Sequence, residues 1–205
     1  MKFIFISRLG TLWGRAFVLA GLLCWFLPAT AQGQATYYTA RAILAEFFPK
    51  SQLVTYQKYE LSPAQRARVE GQLGYTLRRS AYTFYVAKTG DHVDGYALLD
   101  DENGQHLPIS FAVKLSPSGS VERQEVMVYR ERYGDEVRDP RFRQQFVGKT
   151  AADPLRPGEE VIAVSGATIS SRAMALGVRR CLVLFDELVL RPQREPPGTP
   201  AAAAH

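Results

Sequence analysis

The chain has 205 residues, of which 46% are hydrophobic, and its formal net charge at pH 7 is +5. This length and composition predict a single hydrophobic core with a short appendage and argue against two full domains. With 22% charged residues, the composition is that of an ordinary globular protein.

Residues 1–31 have the order of a secretory signal: basic residues, an apolar run over residues 16–27, and the small residues Ala29-Thr30-Ala31. We predict export to the periplasm, or to the outer face of the cytoplasmic membrane, with cleavage after Ala31. An uncleaved membrane anchor is the alternative, because residues 3–12 add apolar length upstream. Removing residues 1–31 leaves 22 Lys and Arg against 20 Asp and Glu, so the charge does not indicate nucleic acid as a partner.

Residues 37–80 are predicted to form an N-terminal helical segment that precedes the sheet. The apolar residues of 37–48 fall near a 3.6-residue period, and Pro49 follows them. A second helix is predicted to begin with Ser62 as its cap and Pro63 at its first position, and to close at Gly74.

Residues 81–191 are predicted to form the main domain. Four short runs are rich in aromatic and β-branched residues and are separated by turn signals: 82–86, 93–99, 109–115 and 122–128. This spacing predicts a meander of antiparallel strands. The fold class is therefore α+β, an antiparallel sheet with N-terminal helices and a C-terminal helix packed on it.

The rest of the domain is predicted to contain a polar segment over 129–160 with one short helix at 139–146, a brief strand at 161–164, and a helix over 170–190. The Pro- and Ala-rich tail 192–205 is predicted to be disordered. Cys181 is the one thiol left after cleavage, so neither a disulfide nor a metal site is predicted. Its apolar neighbours favour a small buried hydrophobe over a reactive thiol.

The residues Ser165-Gly166-Ala167-Thr168 stand between the predicted strand and the C-terminal helix. Unpaired amides at a helix start attract an anionic phosphate, and the small Gly166 and Ala167 let it approach. Ser170, Ser171 and Arg172 add hydrogen-bond donors, and Thr168 adds a hydroxyl. From the residues alone, ordinary helix capping explains the same pattern.

The segment from Ser165 to Ala173 resembles the flavinylation motif of the FMN-binding domain family, which includes flavinylated subunits of the sodium-translocating NADH:quinone reductase and of the Rnf electron-transport complex. The similarity extends back through Gly95-Tyr96 and residues 144–149, and covers about residues 90–190. It implies that the phosphate of FMN is esterified to Thr168. A magnesium-dependent flavin transferase that uses FAD as donor would make this bond.

One position departs from the family pattern. The family usually has an acidic residue three positions before the motif's serine, and this chain has Ile162 there. The departure bears on recognition by the transferase, so noncovalent FMN remains the alternative to the covalent ester. A threonine hydroxyl is a poor nucleophile, and His92, His106 and His205 all lie elsewhere in the sequence, which favours modification by an external enzyme.

The isoalloxazine ring needs a flat apolar neighbour, and the segment 129–134 is the predicted contact because it leaves a strand and ends in a flexible Gly. Tyr129 and Tyr133 are its ring-contact candidates. The alternative is that these aromatics, with Phe142 and Phe146, only cover the sheet. Arg130 and Arg132 are candidates for tuning a reduced flavin, and His106 is a weaker candidate for proton exchange.

Three functions compete on this evidence. The favoured one is an exported electron-transfer flavoprotein that passes electrons between redox partner proteins at the membrane. A cofactor-free exported binding or adaptor module is the alternative, and it predicts colourless protein. An enzyme that reduces its own small substrate would need an access pocket and a proton donor, which the sequence does not identify.

Overall fold

The computed structural model describes residues 34–194, so the predicted signal lies outside the described residues. They form an α+β fold around a six-stranded antiparallel sheet in the order β1-β6-β5-β4-β3-β2, which confirms the predicted fold class. The strands are β1 (Ala35–Thr36), β2 (Leu53–Glu60), β3 (Ala81–Thr89), β4 (His92–Asn103), β5 (Pro108–Leu115) and β6 (Val121–Tyr129). Within residues 34–194, no helix has both the length and the apolar composition to cross a membrane.

Helices cover both faces of this sheet. They are α1 (Ala40–Phe47), α2 (Pro63–Leu73), α3 (Pro140–Gln144), α4 (Thr168–Phe185) and α5 (Arg191–Arg194), with a 3₁₀ turn at Asp135–Arg138 and a π-helical turn at Asp186–Leu190. As predicted, Ser62 caps α2, in a capping box with Gln65, and Gly74 ends it at a φ of 77°.

The four central strands confirm the predicted meander, and their side chains build two cores. Successive side chains of a strand point to opposite faces, so Phe111 belongs to the larger core under α4 and Ala112 to the smaller core under α1. Val69 of α2 also joins the larger core, whereas Ile43 of α1 anchors the smaller one. The larger core holds α4 against the sheet, and α4 carries the predicted motif at its start.

Two of the predicted elements are wrong. The segment 37–80 is not purely helical, because β2 lies between α1 and α2 and pairs along its whole length with β3. Most of this edge strand is exposed, so its sequence lacks the alternation that marks a half-buried strand. The predicted strand at 161–164 is absent. Val161 forms only an isolated bridge with Pro157, and the backbone N–H and carbonyl of Ile162 hydrogen-bond to the Gln145 side chain instead of to a neighbouring strand.

The helices after β6 differ from the prediction mainly at their ends. The segment predicted as one short helix at 139–146 contains α3, which follows the 3₁₀ turn directly. The C-terminal helix begins at Thr168, two residues earlier than predicted, and passes into the π-helical turn after Phe185. Helical structure continues to Arg194, and the rest of the predicted disordered tail lies outside the described residues.

Candidate functional site

The predicted motif forms a tight turn that leads directly into α4. Gly166 has a φ of 82°, which favours glycine, and the Ala167 N–H donates to the Val164 carbonyl at 3.0 Å. Thr168 is the first residue of α4, and its side chain is exposed. Modification of the Thr168 hydroxyl would therefore need no unfolding of the turn.

The start of α4 is also open to an anion. Ala167 precedes the helix and provides no side-chain cap, and the Ser171 N–H is the first to bond within the helix, to the Ala167 carbonyl at 2.8 Å. The amides of residues 168–170 have no acceptor in the preceding turn of the helix, and the helix dipole is positive at this end. A Cβ added to Gly166 would meet no atom within 4 Å, so space is free beside the turn.

Ser170 and Ser171 have internal partners. The Ser171 side chain is 2% exposed, and its Oγ accepts from the Val164 N–H at 3.1 Å. Ser170 is 3% exposed, and its Oγ lies 2.8 Å from the Tyr129 hydroxyl. Both hydroxyls therefore hold the turn against the fold, whereas the exposed Ser165 and Arg172 are accessible to a ligand.

Tyr129 and Tyr133 differ sharply in exposure. Tyr129 is 2% exposed, and its hydroxyl donates to the Tyr133 carbonyl at 2.5 Å and bonds Ser170. Burial raises the pKa of the Tyr129 hydroxyl above its ordinary value. The Tyr129 ring is thus unavailable as a contact surface and links the end of β6 to α4. Tyr133 is 71% exposed, and the Arg132 guanidinium lies 5.4 Å from its ring centroid.

Gly134 lies where the segment 130–134 meets α4. Its φ is 100°, and a Cβ at this position would stand 2.5 Å from both the Ser170 Oγ and the Tyr129 hydroxyl. A side chain does not fit here. The Tyr129 hydroxyl hydrogen-bonds to both the Tyr133 carbonyl and the Ser170 hydroxyl, and these two bonds hold Tyr133 close to the start of α4.

The remaining candidates of the sequence have structural roles. Arg130 donates to the Pro108 carbonyl at 2.7 Å and to the Ser110 Oγ at 2.9 Å. Phe142 and Phe146 are buried and pack edge to face, with ring centroids 5.4 Å apart, as the sheet-covering alternative predicted. The His106 N–H donates to the Glu131 carboxylate at 2.6 Å in the turn between β4 and β5.

Gln145 lies in the segment 144–149 that shares the family resemblance, but the sequence predicted no role for its side chain. Its amide oxygen accepts from the Ile162 N–H at 2.8 Å, and its amide nitrogen donates to the Ile162 carbonyl at 3.1 Å. This clamp fixes the backbone at the position where the family usually has an acid. The Ile162 side chain itself is 62% exposed. A single Gln in a polar segment carries no sequence signal for such a contact.

A cavity of about 680 Å³ opens further along α4. It lies between the connection from α2 to β3, the end of β4 and the exposed side of α4, and its walls include Tyr75, Leu77, Arg78, Asn103, Pro108 and Leu176. This volume is typical of small-molecule sites. No sequence pattern indicates the cavity, because its walls come from distant segments.

A buried charge network forms the inner wall of this cavity. The Asp100 side chain is fully buried, and it pairs with Arg79 and accepts from the Arg180 Nη2 at 2.8 Å. Arg180 also pairs with Glu102. Because these charges neutralise one another, the wall offers hydrogen-bonding groups without a large net charge.

Cys181 is fully buried, and burial raises the pKa of its thiol to about 12. The thiol is therefore protonated and inert at neutral pH, as the buried-hydrophobe interpretation predicted. Within residues 34–194, no group of three or more His, Cys, Asp and Glu side chains is arranged to hold a metal ion.

Comparison with known proteins agrees with this geometry. Residues 104–183, which include the turn and most of α4, match the family model of the FMN-binding domain. The fold is similar to that of NqrC from Shewanella oneidensis, with a TM-score of 0.52 and 15% identity over 74% of this chain and 88% of that chain. At this identity the likeness concerns the fold alone. No curated protein sequence matches this chain.

Proposed function

Because residues 104–183 form a domain of the FMN-binding family, we propose that the chain is an exported electron-transfer flavoprotein that carries FMN as a phosphoester on Thr168. The observation that carries the proposal is the exposed Thr168 side chain at the first position of α4, inside the matched range. The cofactor-free module is disfavoured, because a mere helix cap would place a capping side chain at Ala167, and none is there.

The residues around Thr168 suit a phosphodiester. One negative charge would lie at the open amides of residues 168–170 and at the positive end of the α4 dipole. Arg172 is exposed one helical turn after Thr168, and a side chain at this spacing leans back toward the start of the helix. When bound, FMN supplies the redox chemistry, while the protein sets its orientation and surroundings.

The ester is proposed to form in an enzyme-catalysed transfer. The Thr168 hydroxyl gives its proton to a base of the transferase while its Oγ1 bonds to the flavin-side phosphorus of FAD. The bond from that phosphorus to AMP breaks, so AMP leaves and no electrons are transferred. Among residues 34–194, no carboxylate or imidazole hydrogen-bonds to the Thr168 hydroxyl, so no residue in this range is placed as its general base. An external flavin transferase is therefore part of the proposal.

Export supplies the setting for electron transfer. The order of basic, apolar and small residues in 1–31 supports translocation, either with cleavage after Ala31 or with retention as an anchor. In both cases the flavin domain would face redox partner proteins on the outer side of the cytoplasmic membrane. The small net charge of residues 32–205 gives no support for a nucleic-acid partner.

Co-expression with a flavin transferase tests attachment. We expect purified protein to stay yellow after denaturation and to give a fluorescent band on a denaturing gel, and Thr168→Ala to lose that band. Ser118→Ala is the control, because it removes an exposed hydroxyl outside the motif and should keep the band. Fluorescence that survives in Thr168→Ala would contradict this attachment site, and colourless protein throughout would favour the cofactor-free module.

A further inference from the structure

Three observations concern the position of the flavin ring, as distinct from its point of attachment. Tyr129, one of the two aromatic candidates of the sequence, is buried and cannot be a ring contact. Tyr133 remains accessible, but it lies on an open surface. The cavity beside Leu176 is a large concave site that borders the middle of α4.

The exposed side of α4 leads from the turn into this cavity. Thr168, Arg172 and Leu176 are spaced by four residues, so each is rotated by about 40° from the one before and all three lie on one side of the helix. Thr168 and Arg172 are exposed, and Leu176 is a wall of the cavity. Leu176 lies about 12 Å beyond Thr168 along the helix axis, and the phosphate and ribityl chain of FMN span a comparable length.

The polarity of the cavity fits a neutral, planar heterocycle with hydrogen-bonding edges. Leu77, Pro108 and Leu176 give it apolar walls. The Tyr75 hydroxyl is buried beside the Arg180 guanidinium, and its own proton has no acceptor, so the wall of the cavity holds one unpaired donor. A charged ligand would face the paired network of Asp100 and Arg180, whereas an uncharged ring does not disturb it.

Arg78 gives the cavity one cation without a carboxylate partner among residues 34–194. With the Asn103 amide oriented so that its oxygen faces Arg78, that oxygen accepts from the guanidinium at 2.8 and 3.0 Å. This bond joins two walls of the cavity, the connection after α2 and the end of β4. A cation beside the pyrimidine part of a flavin favours the reduced, anionic form.

We propose that the isoalloxazine ring of a flavin held on Thr168 lies in this cavity, with Tyr75 against the ring and Arg78 at its edge. The inference rests on the proposed function and goes beyond it, because it assigns the ring environment to the connection between α2 and β3. The segment 130–134 is then a support of the turn and not the ring site.

The test uses flavinylated full-length protein and two matched pairs of variants. Tyr75→Leu and Arg78→Ala change the cavity, and Tyr133→Leu and Arg132→Ala change the exposed segment in the same way. An aromatic side chain packed on a flavin quenches its fluorescence, so we expect Tyr75→Leu to raise the ratio of native to denatured fluorescence severalfold, with Tyr133→Leu unchanged. Arg78→Ala should lower the midpoint potential, with Arg132→Ala unchanged.

The outcomes separate this inference from the proposed function. Wild-type protein that carries no covalent flavin after co-expression with the transferase would contradict the proposed function itself. Covalent flavin whose fluorescence and potential respond to Tyr133→Leu and Arg132→Ala, but not to the cavity pair, would overturn the inference and place the ring on the segment 130–134. Covalent flavin that responds to neither pair would also overturn it. Thermal unfolding of each variant shows whether the fold is retained. If Tyr75→Leu unfolds, the midpoint potential of Arg78→Ala still tests the inference.

Discussion

The turn that ends at Thr168 and the cavity beside Leu176 lie on the same helix, but they are built in different ways. The turn consists of residues close in sequence, and its accessible donors are backbone amides and the Thr168 hydroxyl. The cavity joins four segments, and its polar groups are side chains that largely pair with one another. A covalent attachment point thus needs little more than an exposed hydroxyl on an ordered turn, whereas a ring environment needs tertiary structure.

From this difference we expect that removing one charge from the cavity lowers the free energy of unfolding more than removing one contact at the turn. Arg180→Met keeps much of the side-chain volume but leaves Asp100 and Glu102 with less compensation, and Asp100 is fully buried. We expect the free energy of unfolding to fall by about 3 kcal/mol, because an uncompensated buried charge is costly. Urea unfolding measures it.

Arg172→Met is the matched control for Arg180→Met. It removes the same group from the exposed side of the same helix, and we expect a change within about 0.5 kcal/mol. Equal effects of the two substitutions would show that the network of Asp100 and Arg180 contributes nothing particular to stability.

The same contrast explains what could be predicted from the sequence. The turn from Ser165 to Thr168 and the meander of β3 to β6 were predictable, because local spacing, turn residues and alternation specify them. The cavity was not, since Asp100 and Arg180 are 80 residues apart and no pattern pairs them. The burial of Tyr129 could not be predicted either, because it depends on contacts that Tyr129 makes with Ser170 and Gly134 only in the folded chain.

Gly134→Ala is expected to have the next largest effect. The added Cβ would lie 2.5 Å from the Ser170 Oγ and the Tyr129 hydroxyl, at a φ of 100° that disfavours a side chain. We expect a loss of about 2 kcal/mol in unfolding free energy and a displaced segment 130–134. Gly148→Ala is the control, because its φ is 80° and a Cβ there meets no atom within 4 Å. A loss in Gly134→Ala no greater than in Gly148→Ala would mean that close packing at this junction does not matter.

Gln145→Ala is expected to have the smallest effect on stability and a local effect on the turn. It removes both hydrogen bonds that hold the Ile162 backbone, and because the site is largely exposed we expect a cost of about 1 kcal/mol. Amide hydrogen exchange should accelerate at Ile162, while the amides of β5 keep their protection, since they belong to the sheet. Gln144→Ala, one residue earlier at the end of α3, is the control. Unchanged exchange at Ile162 in Gln145→Ala would show that the isolated bridge at Val161 and the turn after Val164 hold this backbone without the Gln145 clamp.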